Sequence, residues 1–158
     1  MAVLLMVQFR SFVQPLLIFL AIPFGFTGAF VALDATNNPL SFFSAVGLIG
    51  LTGIAVNNSI LLIDYANQER AKGASPRKAI ANATDQRFRP LLATSLTTIV
   101  ALLPLAIYDP FWQPLAVAII GGLISSTLLV VICLPYYYLA TERARVAIKN
   151  WWRQVLRN

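Results

Sequence analysis

Apolar residues fill most of this chain in long runs, and the polar positions between the runs divide it into segments. Residues 2–9 are apolar but too few to cross a bilayer, which takes about 20 residues, and Arg10 follows them. A secretory signal would put its positive charge before the apolar core, so this stub reads instead as the last turns of a helix that begins earlier. The first full run covers residues 12–33, with Pro15 and Pro23 expected to bend it and Gly25 and Gly28 allowing close helix contact. A polar turn at residues 34–39 ends it. The second run spans 41–65, a basic polar stretch fills 67–89, the third run spans 90–107, and Asp109 and Pro110 mark the next turn. The fourth run spans 114–139, with Gly121, Gly122, Ser125 and Ser126 giving it a small-residue face. The pattern predicts an all-α membrane protein with four transmembrane helices and a partial one at the N-terminus.

Inside the second run, Asn57, Asn58 and Ser59 interrupt the apolar stretch near its middle. Gly50, Asn57 and Asp64 recur every seven residues, and Gly53 stands one turn before Asn57, so the four share a helix face. That face is expected to press against other helices while leucine and isoleucine meet lipid. Helix packing is the role expected of Gly47, Gly50, Gly53, Gly121 and Gly122.

Composition agrees with the pattern: 58% of residues are apolar and only 11% charged, against about 25% charged in soluble domains. There is no histidine and one cysteine, Cys133, inside an apolar run. No intrachain disulfide and no zinc site are expected, and no metal or cofactor is implied. The pI near 10.0 would suit nucleic acid, but the positions of the charges give a different reason. Every basic residue falls in one of three places: Arg10; Arg70, Lys72, Arg77, Lys78, Arg87 and Arg89 between the second and third runs; or Arg143, Arg145, Lys149, Arg153 and Arg157 in the tail. Four crossings put all of them on one side, which the positive-inside rule makes cytoplasmic, facing an anionic leaflet.

Two basic pieces carry helical signals. Ser75 followed by Pro76 is an N-cap and first-position pair, opening a short cytoplasmic amphipathic helix with Ala79, Ile80 and Ala83 on its apolar face. Residues 141–158 form a basic tail in which Arg145, Lys149 and Arg153 oppose Ala144, Ile148, Trp151 and Val155. It is expected to lie on the membrane surface, a partner in lipid rather than nucleic acid.

Four motifs, in order, resemble the resistance-nodulation-division (RND) efflux pumps of the acriflavine-resistance type. Gln-Phe-Arg-Ser-Phe (8–12), Pro-Leu-Leu (15–17) and Ala-Ile-Pro-Phe-Gly (21–25) are similar to the start of that family's ninth transmembrane helix. Gly-Ile-Ala-Val-Asn-Asn-Ser-Ile-Leu (53–61) resembles the tenth. Arg-Phe-Arg-Pro-Leu-Leu-Ala-Thr-Ser-Leu-Thr-Thr (87–98) with Leu-Pro-Leu-Ala (103–106) resembles the eleventh. Gly-Gly-Leu-Ile-Ser-Ser-Thr-Leu-Leu (121–129) with Leu-Pro-Tyr-Tyr-Tyr (134–138) resembles the twelfth. The resemblance covers residues 1–140, which would be a partial RND transmembrane domain running from the end of the eighth helix to the twelfth, followed by the tail at 141–158.

The resemblance implies a proton-driven exporter of drugs or other amphiphiles in the bacterial inner membrane, with a cytoplasmic C-terminus. Its partners would be the remainder of the pump, two further copies in a homotrimer, a periplasmic adaptor and an outer-membrane channel. It also implies a proton relay in which Asn57 stands where acriflavine-type pumps have a lysine. Asn58 matches the neighbouring asparagine, Thr94 the relay threonine, and Arg87 the arginine at the cytoplasmic mouth. Asn57 is a departure, since an amide donates and accepts hydrogen bonds but does not carry a proton at neutral pH. The chain also lacks a pair of acids within the runs, Asp64 being the only one there, and lacks a soluble domain of useful size. It is therefore expected to be inactive alone, as a fragment or split subunit.

Plainer roles compete for the same residues: helix–helix glue for Asn57 and Asn58, carbonyl capping one turn back for Thr94 and Thr98, and interfacial anchoring for Arg87 and Arg89. Asp64 is expected to pair with a nearby base at the interface. A non-transporting membrane scaffold or regulator is the alternative function. A membrane enzyme finds no histidine, acid pair or base-activated serine in the runs.

Overall fold

A computed structural model describes residues 5, 6, 9 and 13–155 of the chain, with side-chain surroundings given for 5, 6, 9 and 14–140. From residue 13 onward the described residues form five helices in order: α1 (Val13–Phe19), α2 (Ala21–Ala35), α3 (Phe42–Ala71), α4 (Pro76–Tyr108) and α5 (Gln113–Val155). No strand occurs among the described residues. Four segments are long and apolar enough to cross a membrane: Gln14–Ala35, Phe42–Ala71, Pro76–Tyr108 and Gln113–Ala140. The first combines α1 and α2, which are separated only at Leu20, three residues before Pro23. Leu20 N–H still reaches the Leu16 carbonyl at 3.2 Å.

The ends are set by residues suited to them. Ser41 caps α3 with a reciprocal pair, its hydroxyl accepting from Ser44 N–H while its own N–H donates to Ser44 Oγ at 2.8 Å. Ser75 Oγ accepts from Lys78 N–H at 3.4 Å with Pro76 at the first position of α4, as the sequence predicts. Between α3 and α4, Gly73 has φ of 91°, a left-handed value that suits glycine. The turn is clasped by Glu69, whose carboxylate accepts from Lys72 Nζ at 2.7 Å and Asn82 Nδ2 at 3.2 Å. The hydrogen bond to Glu69 holds the Lys72 ammonium above its ordinary pKa.

Three boundaries differ from the sequence reading. α3 runs on to Ala71, and α4 is one continuous helix from Pro76 through Pro90 and Pro104 to Tyr108. The short cytoplasmic helix and the third crossing are therefore a single element. α5 likewise passes through Pro135 and continues without a break to Val155. A proline removes one ladder bond, a local loss that neighbouring helices and waters in membrane proteins can offset, so the helix survives. The amphipathic face expected of the tail lies outside the described side chains. Of the stub, Leu5 is buried and Phe9 packs against the core.

α5 is the hub, packed against α1, α2, α3 and α4. Lipid tails are as apolar as leucine, so association in a bilayer depends on close packing more than on removing area from water. The α2–α5 crossing shows how close. A Cβ at Gly121 would overlap Ala32 Cβ and come within 2.7 Å of the Gly28 carbonyl oxygen. One at Gly28 would overlap Ser125 and stand 2.6 Å from the Gly121 carbonyl oxygen. Ser125 Oγ also donates to the Phe24 carbonyl at 2.9 Å. At Gly122 a Cβ would collide with Leu51, and at Gly47 it would come within 2.9 Å of the Leu115 carbonyl oxygen.

Gly50 and Gly53 do not share that role: nothing lies within 4 Å of a Cβ at Gly53, and only Ile119 at 4.0 Å from one at Gly50. The face of α3 that is buried carries Leu51, Ala55, Val56, Ser59, Leu62, Ile63 and Ala66. The expected orientation is thus reversed within this chain, with the apolar side packed on α5 and the Gly53–Asn57 side left open.

Candidate functional site

The open side of α3 forms a groove with α4. From α3 come Gly53, Ile54, Asn57, Asn58 and Leu61, and from α4 come Arg87, Pro90, Leu91, Thr94, Ser95 and Thr98, around a volume of about 410 Å³. Helical spacing brings these together, since 53, 57 and 61 repeat every four residues on one helix while 87, 91, 94 and 98 repeat every three or four on the other. All four relay candidates, Asn57, Asn58, Thr94 and Arg87, therefore face one space. Residues 40 positions apart in the chain, such as Asn58 and Thr98, meet there.

Asn57 is exposed to the groove and Asn58 is 6% exposed, yet neither side-chain amide hydrogen-bonds another described residue. They are not glue between these helices. The hydroxyls are anchored locally: Thr94 Oγ1 donates to the Leu91 carbonyl at 3.0 Å and Thr98 Oγ1 to the Thr94 carbonyl at 2.8 Å. Spending the proton on the backbone leaves each oxygen free to accept from the groove. Behind them, the buried pair Ser95 and Thr127 joins α4 to α5 at 2.9 Å.

At the basic end of the groove, the Arg87 guanidinium lies over the Tyr65 ring, 5.1 Å from its centroid. The Tyr65 hydroxyl donates to Gln86 Oε1. Arg87 Nε is buried without a hydrogen-bond acceptor. An unfilled donor on a fixed cation is ready to receive an anionic or strongly polar group. Asp64 does not line the groove, and its carboxylate accepts from Gln68 Nε2 at 2.9 Å rather than from a base. The groove thus holds amides, hydroxyls and one cation, a set able to pass hydrogen bonds, with no carboxylate among its lining residues. Among the described residues no cluster of metal-ligating side chains occurs.

Sequence reasoning missed Tyr65, Pro90 and Ser95. Tyr65 stands two turns beyond Asn58 on α3, and that spacing could have placed it at the groove mouth. Ser95 was hidden by its threonine neighbours. A second polar contact also went unseen: Gln14 and Asn67 exchange amide hydrogen bonds at 2.9 and 3.0 Å, tying α1 to α3, and Tyr138 on α5 donates to Asn67 at 3.5 Å.

Residues 1–142 match the AcrB/AcrD/AcrF family. The chain belongs to that family. It is 36% identical over 148 residues to multidrug resistance protein MdtC of Erwinia tasmaniensis, covering 90% of this chain and 14% of the relative. It is also 36% identical over 149 residues to MdtC of Salmonella paratyphi B, covering 91% and 14%. Crystal structures of a heavy metal efflux pump in two crystal forms superpose with a TM-score of 0.76 at 35% identity, over 82% and 88% of this chain and 14% of the pump. The chain therefore spans about one seventh of the length of these relatives. Its helices are membrane portion of the AcrB-like RND type.

Proposed function

We propose that this chain supplies one wall of the proton path of an RND exporter in the bacterial inner membrane, with its C-terminus in the cytoplasm. The observation that carries this reading is the convergence of Asn57, Asn58, Thr94 and Arg87 on a single groove, with the amides making no hydrogen bond to another described residue. In this reading, carboxylates from the remainder of the pump face the groove and take up protons there. Asn57 and Asn58 offer hydrogen bonds to either protonation state, Thr94 accepts from the protonated acid, and Arg87 favours the ionised one. The lining holds no titratable acid of its own, so the 158-residue chain does not transport by itself.

Cargo is drugs or other amphiphiles in this reading, chosen outside these helices. The chain is as similar to a protein named for multidrug resistance as to one named for heavy metal efflux. That equality suits a part that powers export rather than selects cargo. A homotrimer, a periplasmic adaptor and an outer-membrane channel complete the assembly.

The deciding experiment is Asn57→Leu in a complete pump containing these residues, read by drug tolerance of cells with expression and assembly checked. Filling the amide position with an apolar side chain should abolish export at normal protein level. Unimpaired export would remove Asn57 from the path. Co-expression of the chain with the remaining pump segments should restore tolerance where the chain alone does not.

A further inference from the structure

A second groove lies on another flank of α4, between its basic-end half and the middle of α5. It is lined by Ala81, Thr84, Asp85, Phe88, Val131, Ile132 and Pro135, around a volume of about 510 Å³. None of these residues touches the Asn57 groove, and the proposed proton path does not use them.

The polar atoms here are acceptors. Asp85 is exposed, and its carboxylate makes no hydrogen bond or ion pair among the described residues. Thr84 Oγ1 has given its proton to the Ile80 carbonyl at 2.9 Å, leaving lone pairs free. Pro135 has no N–H, so the Val131 carbonyl lacks the donor that an uninterrupted helix would supply. The remaining surface is apolar, with Phe88 42% and Ile132 67% exposed. The groove therefore asks for a compact cation bearing several N–H donors, attached to something greasy.

Its depth agrees. Asp85 lies about 7 Å along the helix axis from Pro90, on the side that carries the basic residues. Tyr136 and Tyr137, both exposed, follow Pro135 directly, and tyrosine concentrates at the headgroup level. Arg89 is exposed one turn after Asp85 on the same helix face, placing a base beside the acid. An acid and a base side by side complement a zwitterion.

We propose that this groove binds one phospholipid with a primary-amine headgroup. The ammonium sits on Asp85 and Thr84, the phosphate faces Arg89, and an acyl chain runs over Phe88, Val131 and Ile132. Three N–H donors distinguish this headgroup from a trimethylammonium one, which offers none.

The test is native mass spectrometry of the full chain in detergent micelles with equal amounts of phosphatidylethanolamine, phosphatidylcholine and phosphatidylglycerol. Phosphatidylethanolamine adducts should exceed phosphatidylcholine adducts by about tenfold, the factor expected of charge-assisted hydrogen bonds. Asp85→Asn, at an exposed position that leaves the fold intact by circular dichroism, should reduce them to the phosphatidylcholine level. Ile132→Trp, which fills the apolar half, should lower every lipid adduct. Equal binding of the two zwitterionic lipids would overturn the proposal, as would a phosphatidylglycerol preference indifferent to Asp85→Asn. The measurement repeated on a complete pump carrying these residues should retain the adduct. Its loss there would mean that protein covers the groove, and would overturn the proposal as well.

Discussion

Asn57 and Asn58 are adjacent in sequence but differ in surroundings, one exposed on the groove and the other nearly enclosed, both without a hydrogen-bond partner among the described residues. Removing an amide from water without a partner costs about 1–3 kcal/mol, and in the proposed reading the hydrogen bonds that offset this cost come from the rest of the pump. The glycines divide in the same way. Gly121→Ala forces a methyl group into Ala32 and the Gly28 carbonyl and should destabilise the chain by about 1–3 kcal/mol. Gly53→Ala meets open space and should stabilise α3 by about 0.5–1 kcal/mol through helix propensity alone. Thermal unfolding of both variants in micelles, followed by circular dichroism, separates the two. A Gly121→Ala protein as stable as the parent would mean that the α2–α5 contact is looser than described.

Among the elements, the Gln14–Asn67 exchange is the polar link between the first crossing and the helix that lines the groove. Asn67→Leu strands the Gln14 amide and should cost about 1–3 kcal/mol, whereas Gln14→Leu with Asn67→Leu together should recover much of that loss. A double-mutant cycle by unfolding in micelles measures the coupling, and strictly additive losses would reduce the pair to independent contacts. The ends of these elements were legible where a residue has one good use: Ser75 as a cap, Pro76 at a first position, the polar turn after α2. Pro90 was not, because a proline inside an apolar pattern reads equally as an end or as an interruption, and only the packing around it decides. The burial of α3 was misread for a related reason. Periodicity located the small and polar face correctly, but which face meets protein depends on what else is present, and within this chain the neighbours lie on the Leu51 and Ile63 side.

At the scale of the whole molecule, the proposed orientation rests on four segments long and apolar enough to cross and on twelve basic residues that such crossings would put on one side. In a Cys133→Ser background, Pro110→Cys should react with a membrane-impermeant maleimide in cells whose outer membrane is permeabilised. Arg77→Cys should react only once the inner membrane is opened as well, and the opposite pattern would invert the topology. The four candidate residues could be named because they sit in motifs that the family resemblance covers; that they share one groove required the α3–α4 crossing, which pairs positions too distant in the chain for periodicity to connect. The Gly28–Gly121 contact has a consequence in time. A ribosome working at about 5–20 residues per second completes Gly121 roughly 5–20 s after Gly28. For that interval the first crossing stands in the bilayer with its partner unmade, a small-residue face and the Phe24 carbonyl turned toward lipid or a chaperone. Synthesis halted after α4 should therefore yield a product that the membrane's proteases clear, because the helix that holds the others together is the last to arrive.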